Sequence, residues 1–311
     1  MSYQFSPDTT FPDMVRAQPL AQAPRAGRFA PTRGLRLVRA AYGVLCRVAP
    51  ALAAWLAYAQ LATPARAAPR DWHIGLRRQA VARRLPFGHG ELAVMEWGKG
   101  PAVLLVHGWA SHATHLGRMV GPLVSAGYRV VAFDAPAHGD SSGDATDMVQ
   151  FASAIAAVAA DVGPLHAVVG HSFGAAMALY AVRDWGVQPG RMVLFSAFDH
   201  CNWFIDAFGS HVGLTPQVLE RVRQRLVRLY GGRLDWSRMS VVDMARAADF
   251  PVLVVHDEDD GEIPFEHALA LAAALPRGEL RRTRGYGHHL VLRSASVIDG
   301  VVRFMAQKEA A

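Results

Sequence analysis

Cysteine is almost absent from this 311-residue chain: Cys46 and Cys201 are the only two, and they lie far apart. A disulfide framework is thereby excluded, and a reducing compartment such as the cytoplasm is expected. Acidic residues are scarce at the start. Residues 1–90 hold 13 Arg and no Lys against 3 Asp, whereas the remainder holds 19 Lys and Arg against 23 Asp and Glu. The net charge of +6 therefore belongs to the first segment. A body that is itself slightly acidic argues against a nucleic-acid binder. Internal repeats and low-complexity runs are also missing. What is present is apolar residue, 51% of the chain, enough to bury a large core.

A clean membrane-spanning run is lacking too. The uncharged stretch 48–65 is rich in alanine and is broken by Pro50, Gln60 and Pro64, short of the ~20 apolar residues that a span needs. A secretory signal fits no better, because the basic run begins more than 30 residues in and Arg47 interrupts the apolar stretch. Residues 1–34, rich in Pro, Ala, Arg and Gln, are expected to be a disordered leader. Residues 35–84 are expected to be a basic, amphipathic helical segment. At 100° per residue Leu35, Val38, Tyr42, Leu45, Leu52 and Leu56 share one face, and Arg33, Arg36, Arg39 and Arg47 another. Pro50 divides the run or starts a second helix. Packing on the main domain is the expectation. Rest on an anionic membrane surface, such as the inner face of the cytoplasmic membrane, and spanning of the bilayer are the alternatives.

After a linker at 85–90, a domain over 85–311 alternates short apolar strands with helices. ELAVMEW (91–97), AVLLVHG (102–108), YRVVAFD (128–134), HAVVGHS (166–172), RMVLFSAF (191–198), FPVLVVHD (250–257) and ELRRTRGY (279–286) read as strands. Strands apolar throughout, separated by helices, imply an α/β, doubly wound, mostly parallel sheet covered on both faces. Ligands on such sheets bind at the carboxyl ends of the strands.

One of those ends reads Gly170-His171-Ser172-Phe173-Gly174. Between an apolar strand and an alanine-rich helix, G-x-S-x-G predicts a nucleophile elbow. The glycines permit close packing of strand on helix, the turn lifts the Ser172 hydroxyl above the sheet, and the Phe173 backbone N–H is placed to hold an oxyanion. A serine needs a base to take its proton, and an acid to orient that base. VLVVHDEDDGEIP supplies an acidic turn after a strand, and TRGYGHHL supplies histidine after the next, in the order Ser, acid, His.

HGW at 107–109, FDAPAHGDS at 133–141, GHSFGA at 170–175, HDEDDGEIP at 256–264 and GYGHH at 285–289 together resemble the α/β-hydrolase superfamily over about residues 90–306, and more narrowly its bacterial members of undefined substrate. The resemblance implies that Ser172, Asp260 and His288 form a catalytic triad, with Asp257 and Asp259 as rival acids and His289 as rival base. It implies the Trp109 and Phe173 N–H groups as oxyanion donors. A helical cap inserted over about 199–249 is also implied, and its Trp203, Phe204 and Phe208, with His171, are candidate pocket residues. Ala137 departs from the glycine more usual in the loop after the third strand. A calcium loop at 256–264 is disfavoured, because Gly261 stands where a ligand is needed. His107, His138 and His256 are expected to be structural.

The chemistry expected is ester or thioester hydrolysis of a small-molecule acyl substrate, with no metal or organic cofactor. Cleavage of C–C or amide bonds by the same triad, or a non-catalytic binding protein on the same fold, are the alternatives.

Overall fold

The computed structural model describes residues 32–307. The leader expected over 1–34 lies outside the described residues as far as residue 31; Thr32 caps the first helix, which takes in Arg33 and Gly34.

Eight strands form one sheet: β1 (Val81–Phe87), β2 (Gly90–Trp97), β3 (Ala102–Val106), β4 (Arg129–Phe133), β5 (Leu165–His171), β6 (Pro189–Phe195), β7 (Val252–Asp257) and β8 (Gly278–Thr283). Their order is β1-β2-β4-β3-β5-β6-β7-β8. The first two pairings, β1 with β2 and β2 with β4, are antiparallel; all others are parallel. The central strands are buried along their whole length, as AVLLV and VLVVHD require.

Each face of the sheet carries a core. On one side lie the alanine-rich α5 (Met148–Val162) and α6 (Phe173–Trp185), with α10 (Glu266–Ala274); on the other lie α4 (Val120–Ser125) and α12 (Ala295–Ala306). Small side chains let α5 and α6 approach the sheet and each other closely. The cap follows β6 and comprises α7 (Cys201–Val212), α8 (Pro216–Leu229) and α9 (Val241–Arg246). Pro216 opens α8, and Thr215 at its N-cap makes no side-chain capping bond.

Before the sheet come α1 (Arg33–Val48), α2 (Pro50–Ala62) and α3 (Asp71–Arg78). Pro50 starts a second helix. Val38, Tyr42 and Leu45 of α1 and Leu56 of α2 face the core, α2 lies along α8, and α1 touches α7. Tyr42 donates to Gln60 Oε1 at 3.0 Å, fastening the two helices, and the Arg225 guanidinium stands 4.9 Å over the Tyr58 ring. Among the described residues no helix is long and apolar enough to cross a membrane.

The linker expected at 85–90, and the helical segment expected to run to 84, are corrected by β1. Residues 81–87 form an edge strand, joined to β2 by a tight turn at Gly88 and His89. Pro86 is tolerated because an edge strand has one side free of ladder hydrogen bonds, and Gly88 adopts the φ of +57° that the turn needs.

Candidate active site

Ser172 stands at the turn between β5 and α6 with φ +54° and ψ −123°, a backbone that side-chain-bearing residues avoid. Its N–H donates to the Phe195 carbonyl at 2.8 Å and its carbonyl accepts from Ala175 at 3.0 Å, so both neighbouring elements hold it. The glycines are obligatory. A Cβ on Gly174 would fall 2.1 Å from the His107 carbonyl oxygen, and one on Gly170 would fall 2.5 Å from Ala175 Cα. Gly108 lies against the elbow itself, where a Cβ would sit 3.2 Å from Ser172 Cβ. The HGW loop thus rests on the serine. The Trp109 ring meets Phe173 edge-on at 4.9 Å.

After β7, Asp260 is fastened from three directions. Its Oδ1 accepts the N–H groups of Glu262 and Ile263, each at 2.9 Å, and its Oδ2 accepts His288 Nδ1 at 2.8 Å. Burial opposes the charge on Asp260, but the His288 hydrogen bond and charge, with the Ile263 N–H, prevail and hold the carboxyl below its usual range. Burial likewise disfavours a charged His288, and the bond and charge of Asp260 overcome it, raising the imidazole above its ordinary value. The pair therefore favours carboxylate beside imidazolium.

His288 is brought to the elbow through His171. The rings of these two lie 4.7 Å apart, and His171 Nε2–H donates to the His288 carbonyl at 3.0 Å. Burial, then the neighbouring His288 and His115, keep His171 neutral by pushing its pKa well down. His171 is thus a buried support for the His288 loop.

The rivals take other work. Asp257 Oδ1 accepts from Asp259 and Gly287 N–H, each at 3.0 Å; its Oδ2 accepts from Thr283 Oγ1 at 2.7 Å and Tyr286 N–H at 3.1 Å. It ties the acid loop to the histidine loop. Asp259 accepts from Gly285 N–H at 3.1 Å. His289 is exposed and pairs with Glu262 at 3.0 Å. The other Glu262 oxygen lies 3.7 Å from His288 Nε2, the nitrogen left free by Asp260. Neither the bracing by Asp257 nor the approach of Glu262 was legible in the sequence, since both depend on how two distant loops meet.

The structural histidines are accounted for. His107 bonds Gly108 O and Ala135 N at 2.7 and 3.0 Å; His138 bonds Pro136 O and Ala110 N at 2.9 and 3.0 Å. His256 Nε2–H donates to Ile263 O at 2.9 Å. Ala137 takes the glycine-like φ of +64° despite its methyl group. Among the described residues His171, His288 and His289 offer ring nitrogens within 4.8 Å of one another, a spacing that an ion could bridge. In this arrangement those rings bond the His288 carbonyl, Asp260 and Glu262 respectively.

Beside Trp109 and Phe173 a narrow recess opens, walled by Met148, Phe204, Ile205 and Leu226 and closed by Tyr58, Leu61 and Ala62 of α2. Of the expected pocket residues Phe204 lines it, and His171, Trp203 and Phe208 do not. Trp203 stacks on Phe198 at 5.8 Å and meets His267 edge-on at 4.9 Å, and Phe208 packs against the core. The part of α2 was not anticipated. Thr146 N–H donates to the Ala62 carbonyl at 2.8 Å and fixes the end of α2 beside the recess. Asp147 caps α5 through Val149 and Gln150 and accepts the Tyr230 hydroxyl at 2.7 Å, joining α8 to the same wall.

The sheet order, the serine turn and the acid–histidine pair define an α/β hydrolase. The chain belongs to the α/β-hydrolase family, whose model matches residues 103–299. It is 25% identical over 257 residues to a non-heme haloperoxidase of Rhodococcus erythropolis, covering 67% of this chain and 93% of that one. It is 27% identical over 254 residues to a bifunctional esterase/perhydrolase of Acinetobacter calcoaceticus, covering 66% and 91%. Among solved structures, an esterase from Exiguobacterium antarcticum superposes with a TM-score of 0.56 at 18% identity, covering 74% of this chain and 98% of that one.

Proposed function

We propose that the protein is a serine hydrolase that cleaves carboxylic esters or thioesters through an acyl-enzyme on Ser172. The observation that carries this reading is the 2.8 Å bond from His288 Nδ1 to Asp260, held beside the serine turn by His171. That bond fixes the tautomer, so that Nε2 of His288 is the basic nitrogen. Ser172 Oγ attacks the acyl carbon as His288 Nε2 takes its proton. The Trp109 and Phe173 N–H groups receive the charge that develops on the carbonyl oxygen. His288 then gives the proton to the leaving alcohol or thiol, and the C–O or C–S bond breaks. Water, deprotonated by His288, releases the acid and restores Ser172. Asp260 orients the ring and stabilises its charged form throughout.

The recess beside Trp109 and Phe173 is the acyl pocket in this reading. Tyr58, Leu61, Phe204 and Leu226 crowd it, which favours a short acyl group. The esterase activity in the name of the Acinetobacter calcoaceticus relative supports this chemistry. A series of p-nitrophenyl esters from two to twelve carbons, run on wild type and Ser172→Ala, tests the proposal. Turnover that favours the short esters and vanishes in the variant is expected. Equal turnover by both proteins would reject it.

A further inference from the structure

The inner side of α1–α2 packs on the cap and closes the recess; its outer side is apolar and uncovered. Leu37 and Val48 of α1 are 73% and 72% exposed, and Trp55 of α2 is 51% exposed, with Val44 and Leu52 also exposed. At 100° per residue Leu37, Ala41, Val44 and Val48 fall within an arc of about 60°. They make a stripe separate from Val38, Tyr42 and Leu45, which face the core. Arg33, Arg36 and Arg47 occupy the adjoining arc and are exposed. Among the described residues none of these three, nor Arg39, pairs with a carboxylate; Arg47 donates to the Gly43 carbonyl at 2.7 Å, one turn back. Between Thr32 and Arg70 the sequence has no Asp or Glu at all. A core-facing helix would not place its large apolar residues this way, and a helix turned only to water would not carry them.

We propose that this outer face docks on an anionic lipid bilayer, with the apolar stripe entering the interface and the arginines meeting the headgroups. Helices with one apolar and one cationic flank lie in this way at bilayer surfaces. Each arginine near an anionic surface adds to the attraction. Charge complementarity chooses the bilayer over the preceding chain: residues 1–31 carry three Arg against two Asp, so that segment is itself basic. A second copy would bring arginines against arginines. Since α2 walls the recess with its other side, docking would hold the catalytic mouth near the membrane surface. Binding requires no catalysis, so the inference stands apart from the esterase reading.

The test is flotation of the full chain with phosphatidylcholine vesicles, with and without phosphatidylglycerol. Uptake by the anionic vesicles alone, falling as salt rises, is expected. Val44→Asp with Val48→Asp should lower uptake at least tenfold, and Arg36→Ala should lower it about fivefold, with turnover of a soluble short ester unchanged in both. Ser172→Ala should bind vesicles as the wild type does, whatever its activity. Absence of uptake, or uptake indifferent to both surface variants, would overturn the proposal. So would a wild-type dimer that the aspartates dissolve without any vesicle binding, which would give the face to a second copy.

Discussion

At the scale of single residues, the proposed mechanism gives His288 the pH dependence. Its pKa is raised, and only its neutral form accepts a proton from Ser172. The profile of kcat/KM should therefore rise with pH and reach half its plateau above 6.5, the ordinary histidine value. Asp260→Asn removes the partner that raises it. The half-point should move to lower pH, and kcat should fall by about 10⁴, as loss of the orienting acid does in other triads. Glu262→Gln should also move the half-point down, because a carboxylate 3.7 Å from Nε2 favours the charged ring, while the plateau stays within a few-fold. A pH series of the three proteins decides this; a half-point unmoved in Asp260→Asn would separate His288 from Asp260 functionally. Ser172 was legible from its flanking glycines together with their place between an apolar strand and an alanine-rich helix. Asp260 and His288 needed the order of motifs as well. Asp257 was visible only as a rival acid, since three of its four hydrogen bonds reach backbone and hydroxyl groups 26 to 30 residues away.

At the scale of elements, the serine turn depends on three backbones meeting where side chains cannot fit. Gly174→Ala forces a methyl group into the His107 carbonyl. It should cost about 3 kcal/mol by overpacking, read as a shift in urea midpoint, and disturb Trp109 on the same loop. The α2 wall gives a separate prediction. Leu61→Ala enlarges the recess and should raise the ratio of kcat/KM for an eight-carbon over a two-carbon ester about tenfold, the worth of a methylene or two in an apolar pocket. An unchanged ratio would remove α2 from the acyl site. Helices and buried strands were legible because each is apolar in its own period, AVLLV as a strand buried on both faces and α5 as an alanine-rich helix. The edge strand β1 was not: charged residues, Pro86 and Gly88 imitate a linker, and what makes the segment a strand is its register with β2.

At the scale of the whole molecule, sheet order, elbow and cap converge on one rim, and the basic N-terminal helices belong to that rim. Their packing on the cap followed from the pattern of Val38, Tyr42 and Leu45. Their closing of the recess did not, because a pocket wall is made jointly by α2, α5, α7 and α8 and no single stretch encodes it. Arg66, after α2, extends this union: it donates to the Ser141 carbonyl at 3.2 Å and the Gly143 carbonyl at 2.7 Å, in the loop that follows β4. In the proposed mechanism Ser172 is a nucleophile activated in place. Its most direct measurement is mass spectrometry after treatment with a fluorophosphonate. One adduct is expected, on the peptide holding Ser172, with none in Ser172→Ala. An unlabelled wild type, or equal labelling of the variant, would contradict it.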